Sequence, residues 1–160
     1  MIGLEKEGSQ TQLFLVPQTR VQDFIGRGPQ LRSIAERFIT SRFTAPRPNG
    51  PRIVIIHALG GQGKSQLALE YYRMSCAQNI YRRIFWITAA DKALTIDSFR
   101  RIAIELGILG VGEAIDDDRV IKRVKQFLED CQERWLLIFD NYDSPTQFDD
   151  LQDFFPDGKA

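Results

Sequence analysis

The sequence predicts an α/β fold with a mainly parallel sheet, and three observations carry that expectation. Short uncharged runs recur at Ile53–Ile56, Ile84–Ile87 and Trp135–Phe139. Stretches with helical apolar spacing separate them. A glycine-rich turn joins the first run to the helix after it. Strands alternating with helices build right-handed βαβ units, which leave successive strands parallel.

Taken in order, residues 1–12 are polar and read as a tail, and Leu13–Val16 is an apolar run stopped by Pro17, too short to assign. Leu31, Ile34, Ala35, Phe38 and Ile39 then share one helical face, in a helix expected to start near Pro29. The stretch APRPNGP, residues 45–51, is a loop by composition, because three prolines break regular structure. Ile53–Ile56 reads as a buried strand. Leu67, Tyr71 and Met74 place a helix beyond the glycine turn, and Ile84–Ile87 is the second strand. Phe99, Ile102, Ala103 and Leu106 mark a further helix with Asp97 as its expected N-cap. Residues 107–113 form a loop, and Asp116–Asp118 opens a helix whose stripe is Val120, Val124, Phe127, Leu128 and Cys131. Trp135–Phe139 is the third strand, ending at Asp140.

Composition bounds the function. A chain of 160 residues is the size of one domain. With 43% hydrophobic residues it can form a core, which excludes a disordered chain. Basic and acidic residues balance at 21 each, so no excess of positive charge exists to wrap nucleic acid. The opening MIGLEKEGSQ is not a basic-then-apolar leader, and no apolar run approaches the roughly 20 residues that span a bilayer. Cys76 and Cys131 lie in no metal-ligand spacing and read as reduced core thiols. These features predict a soluble cytoplasmic domain without a membrane or nucleic-acid partner.

The chemistry is concentrated in Ala58-Leu59-Gly60-Gly61-Gln62-Gly63-Lys64-Ser65, set between a strand and a helix. This matches the phosphate-binding loop G-x-x-x-x-G-K-[ST] with Ala58 in place of the first glycine. Glycines let consecutive N–H groups turn toward a β-phosphate, and the helix start adds its positive end. Lys64 supplies a mobile charge for the β- and γ-phosphates, and the Ser65 hydroxyl is a ligand for Mg²⁺. Ala58 is expected to hold ordinary backbone geometry or carry strain. Roughly 75 residues downstream, Trp135–Asp140 delivers a carboxylate at the C-terminal end of an apolar strand, where α/β sheets bind ligands. This is a Walker B arrangement, with Asp140 on Mg²⁺. Asp140-Asn141-Tyr142-Asp143 holds no D-x-x-G, and no Asn-Lys-x-Asp guanine reader occurs, so ATP or ADP is favoured.

Phe24-Ile25-Gly26-Arg27, GGQGKSQLALEYY, Phe85-Trp86-Ile87 and WLLIFDNYDSP occur in the order of NB-ARC nucleotide-binding modules. The chain resembles these STAND-class signalling ATPases of the NOD-like receptor type over roughly Leu13 to Lys159, most closely those of filamentous fungi with tetratricopeptide repeats. The resemblance implies a three-layer P-loop NTPase fold and nucleotide contacts from Gly60, Gly61, Gln62, Gly63, Lys64, Ser65 and Gln66. It implies adenine contacts from Ile25 and Arg27, although Gln30 stands where the family's first motif ends in an acid. It also implies a sensor strand between the loop strand and the Walker B strand, due to begin where the chain ends at Phe154–Ala160. Helical, winged-helix and repeat parts in cis would follow it. On that expectation the domain, residues 13–160, is a partial core, as a fragment or a natural truncation, with unpaired strand edges that favour association.

Asn141 stands where many such strands carry a second acid, and an amide accepts no proton, so hydrolysis is expected to be weak at most. Asp140 and Asp143 are the candidate catalytic acids. His57 reads as a core or edge histidine without triad partners, Asp116–Asp118 as a solvated helix start, and Trp86 and Trp135 as core aromatics. The leading function is an ATP/ADP-controlled switch in fungal innate-immunity-type signalling, with self-association of the full-length protein. A P-loop ATPase or kinase with real turnover, and a nucleotide-independent module with a decayed loop, are the alternatives.

Overall fold

The computed structural model describes residues 12–17, 26–39, 52–143, 146 and 148–157. Most of the polar tail, Ile25 and the proline-rich loop lie outside them. Three strands, β1 (Leu13–Leu15), β2 (Arg83–Thr88) and β3 (Trp135–Asp140), form one sheet in the order β1-β2-β3. Both pairings are parallel, with Leu13 opposite Arg83 and Arg83 opposite Trp135. Helices α1 (Gly28–Ile39) and α2 (Lys64–Ala77) lie between β1 and β2 in sequence; α3 (Lys92–Glu105) and α4 (Asp117–Asp130) lie between β2 and β3. A 3-10 helix spans Asp150–Phe154.

The two-residue period of the strands sorts the side chains into two layers. Phe85 and Ile87 of β2, with Trp135, Leu137 and Phe139 of β3, face a core that α3 and α4 fill with Phe99, Ile102, Val120, Val124 and Leu128. Ile84 and Leu136 face the other way, against Ile34 of α1 and Leu67 and Tyr71 of α2. The result is the expected three-layer α/β arrangement. Burying one such side chain contributes about 1.5–3 kcal/mol, so the sheet is stabilised chiefly through its faces. The Lys92 ammonium ties the start of α3 to Asp150 and, through that hydrogen bond, holds the Asp150 carboxyl below the usual carboxylate range.

Four expectations change. Ile53–Ile56 is not a buried strand: residues 52–59 carry no regular structure, and Ile53 and Ile55 are 56% and 84% exposed. Val54 and Ile56 do pack against the α1–α2 layer, so the run alternates as an extended chain would. A strand also needs a hydrogen-bonding neighbour, and β2 is the only pairing partner β3 has among the described residues. Conversely, the unassigned Leu13–Leu15 is a strand, because β2 offers it a parallel edge. The N-cap of α3 is Asp91, not Asp97: its carboxylate accepts from the Leu94 amide at 2.8 Å. The first turn of α3 buries Thr95, which donates to the Asp91 carbonyl at 2.7 Å, so its inward position is hidden by a polar side chain. Asp97 lies within the helix and pairs with Arg101 at 2.7 Å. Finally, Trp86, Trp135, Cys76 and Cys131 are half-buried rather than core residues. The Trp135 indole donates to the Leu128 carbonyl at 2.8 Å, and the Cys131 thiol accepts from Arg83 at 3.3 Å.

Candidate functional site

The glycine-rich loop enters α2 through two residues with left-handed backbone, Gly61 at φ +75° and Gly63 at φ +76°. Side chains rarely adopt that region, so the turn requires glycine at both places. The Gln62 amide closes the turn onto the Leu59 carbonyl at 3.3 Å. Gly63 caps α2 without a side-chain bond, and the Leu67 amide donates to the Gly63 carbonyl at 3.0 Å. The amides ahead of it therefore point out of the helix start, the arrangement that attracts an anion. Ala58 is not among the described residues with positive φ, so the missing first glycine introduces no left-handed strain.

Period two in β3 puts Asp140 on the same face as Leu136 and Ile138, the face that α2 covers. The Asp140 carboxylate thereby meets the first turn of α2, accepting a hydrogen bond from the Ser65 hydroxyl at 2.7 Å. Residues 75 positions apart in sequence are brought together at one sheet end. Lys64 lies beside them with its side chain 26% exposed, less open than a free lysine. Its ammonium donates to the Ala58 carbonyl at 3.0 Å and stands 3.7 Å from the Asp143 carboxylate. The Arg27 guanidinium donates to the Gln62 carbonyl and comes within 3.5 Å of the Cβ position at Gly63. The loop is thus braced from the segment preceding α1.

Gly60, Gly61 and Gln62 are exposed at the loop tip, while Gly63, Ser65 and Gln66 are half-buried at the helix start. His57 is exposed on the approach to the loop. Ile25 lies outside the described residues, and Arg27 reaches the loop itself. Past the C-terminal end of α2, away from the loop, burial pushes the Tyr81 phenol far above its ordinary range; its hydroxyl shares a hydrogen bond with Tyr71 at 3.1 Å.

The donor chemistry at this end suits a hard cation. A hydroxyl and a carboxylate oxygen 2.7 Å apart can both turn to one ion. Mg²⁺ keeps several waters and uses one or two carboxylates together with substrate phosphates. No group of three or more His, Cys, Asp or Glu side chains forms a metal cage among the described residues. No helix among them is long and apolar enough to cross a membrane.

Two contacts escape the motif reading: the Ala58 carbonyl on Lys64, and the approach of Asp143 to the same ammonium. The second depends on Asn141, whose φ of +66° turns the chain back just past β3. Asparagine directly after a strand-ending aspartate is the one sequence signal for that turn, since Asn tolerates left-handed geometry.

Comparison with known proteins identifies the family. The model of the NB-ARC domain family matches residues 39–160, beginning after the Phe24–Arg27 motif. A nucleotide-binding leucine-rich repeat (NLR)-like protein of the fungus Hyaloscypha variabilis is 30% identical over 131 residues, which cover 81% of this chain and 13% of that protein. The chain therefore spans only a small part of that relative's length. No solved structure matches it. With the family model covering most of the chain and a parallel α/β core around the loop, this protein belongs to the NB-ARC domain family, the nucleotide-binding module of NLR-type STAND NTPases.

Proposed function

We propose that the chain is the ATP/ADP-binding core of a signalling switch. Nucleotide exchange in it controls activation and self-association of the full-length protein. The observation that carries the reading is the 2.7 Å contact between the Ser65 hydroxyl and the Asp140 carboxylate at the mouth of a glycine loop. In this proposal residues 13–160 form the nucleotide-binding core behind a polar tail. Gly60–Gln66 cradle the phosphates, Lys64 neutralises them, and Ser65 and Asp140 hold Mg²⁺. Ile25 and Arg27 lie against adenine. When bound, the metal neutralises phosphate charge and fixes the phosphate tail. This chain's own residues orient that tail and hold the loop.

Hydrolysis is weak in this reading. Asn141 offers no proton acceptor, and a switch needs retention of nucleotide rather than turnover. Helical and repeat domains in cis complete the clamp, the full-length protein oligomerises in the cytoplasm, and its signal is of the fungal immune type. The likeness to the Hyaloscypha protein, named as a nucleotide-binding leucine-rich repeat (NLR)-like protein, supports this direction.

Lys64→Ala tests it. The lysine is a charge-assisted phosphate donor, a class of bond that contributes about 1.5–3 kcal/mol. Mg·ATP affinity, titrated calorimetrically, should fall about ten- to hundredfold. Circular dichroism should show the fold retained, because Lys64 makes one hydrogen bond to a loop carbonyl and one exposed ion pair with Asp143. Unchanged affinity in the variant would remove the phosphate-loop reading.

A further inference from the structure

We propose that Asp143 is a built-in competitor for Lys64: a carboxylate that holds the ammonium until nucleotide phosphate displaces it. The inference rests on the nucleotide-binding reading above and gives Asp143 a role other than proton acceptor.

Three features combine. Asn141, at φ +66°, reverses the chain immediately after β3, and the Asp143 amide bonds the Asn141 carbonyl at 2.9 Å, tightening that reversal. The turn is also anchored rather than adrift. The Tyr142 hydroxyl donates to the Phe148 carbonyl at 2.8 Å, and its ring meets the Phe148 ring edge-on at 5.8 Å. Phe148 is itself buried in the α3–α4 core. Between these fixed points Asp143 projects toward the loop and stands 3.7 Å from the Lys64 ammonium, its one ion pair among the described residues.

The chemistry follows from the donor count of lysine. An ammonium has three N–H donors and no acceptor. One is directed to the Ala58 carbonyl at 3.0 Å, and the Asp143 carboxylate supplies an anion on another side. A phosphate oxygen offers Lys64 the same kind of partner as that carboxylate, so both compete for one cation. The Asp143 side chain is 69% exposed, which keeps the pair weak and readily exchanged. A strong pair would block the site, whereas a weak one lowers affinity modestly and keeps Lys64 directed at the loop.

The test uses Mg²⁺-free ADP and inorganic pyrophosphate, titrated at low salt into the wild-type chain, Asp143→Asn and Asp149→Asn. Asp149 is an exposed acid of the same stretch with no ion pair to Lys64, so it controls for a general change of charge. Asp143→Asn should tighten both ligands about two- to fivefold, the range of an exposed ion pair, and added salt should shrink the gain. Asp149→Asn should leave affinity within error of wild type. Unchanged or weakened binding in Asp143→Asn, or an equal gain in Asp149→Asn, overturns the competitor role while leaving the nucleotide reading standing. Failure of all three proteins to take up either ligand at millimolar concentration overturns both.

Discussion

The two faces of the sheet are finished differently. On the α3–α4 face Phe85, Ile87, Phe99 and Val124 are completely buried and Leu128 nearly so, and the 3-10 helix closes the layer with Leu151 and Phe154. On the α1–α2 face Ile34 and Leu136 each retain 7% exposure, and the stretch leading to the glycine loop leaves Ile53, Ile55 and Leu59 largely in solvent. The candidate site belongs to this second face. The larger buried cluster lies on the face away from the site, and the loop is held by one end of α2, the Arg27 brace and the Asp140 carboxylate. Regions with fewer buried apolar contacts open at lower free energy, and a ligand bound to the native state alone stabilises it by mass action. The comparison thus makes the loop side the part of the fold most responsive to a phosphate ligand.

That contrast can be broken by mutation. Phe99→Ala removes a fully buried ring that packs 5.5 Å from Phe154, centroid to centroid. It should destabilise by about 3–5 kcal/mol, read from urea unfolding. Leu67→Ala, on the α2 face below the loop, should fall nearer the low end of the range for leucine truncation, about 2 kcal/mol, because its less enclosed neighbours can relax into the gap. An equal or larger loss at Leu67 would show that the two faces are equally well packed. Ile55→Thr should change stability by less than about 0.5 kcal/mol, since the side chain is 84% exposed. A loss of 2 kcal/mol or more there would mean that the 52–59 segment is covered in solution.

The same contrast explains what the sequence could reveal. Strands β2 and β3 are readable because a parallel strand covered by helices on both faces is apolar on both, as in Ile84-Phe85-Trp86-Ile87. The loop is readable because Gly61 and Gly63 are demanded by backbone geometry and Lys64-Ser65 by chemistry. The 53–56 run misleads because β-branched composition records fitness for a sheet, not the presence of a neighbour. Leu13–Leu15 is missed for the opposite reason: three residues carry little pattern, and β2 alone makes them a strand. The start of α3 is misplaced because Thr95 hides an inward position behind a hydroxyl. Within the site, the Ser65–Asp140 meeting follows from motif and strand period, whereas the Lys64–Asp143 approach needs the left-handed turn at Asn141.

The central claim is that a loop from one element and a carboxylate from another form a single phosphate–metal site, and one titration addresses it. ADP is added with and without Mg²⁺ to the wild-type chain and to Asp140→Ala. The loop amides act on phosphate directly, while Asp140 acts through the cation. Mg²⁺ should tighten ADP binding in the wild type, and Asp140→Ala should lose that increment while keeping the Mg²⁺-free affinity. Equal loss of ADP binding with and without Mg²⁺, or no effect of Mg²⁺ on the wild type, would contradict the account.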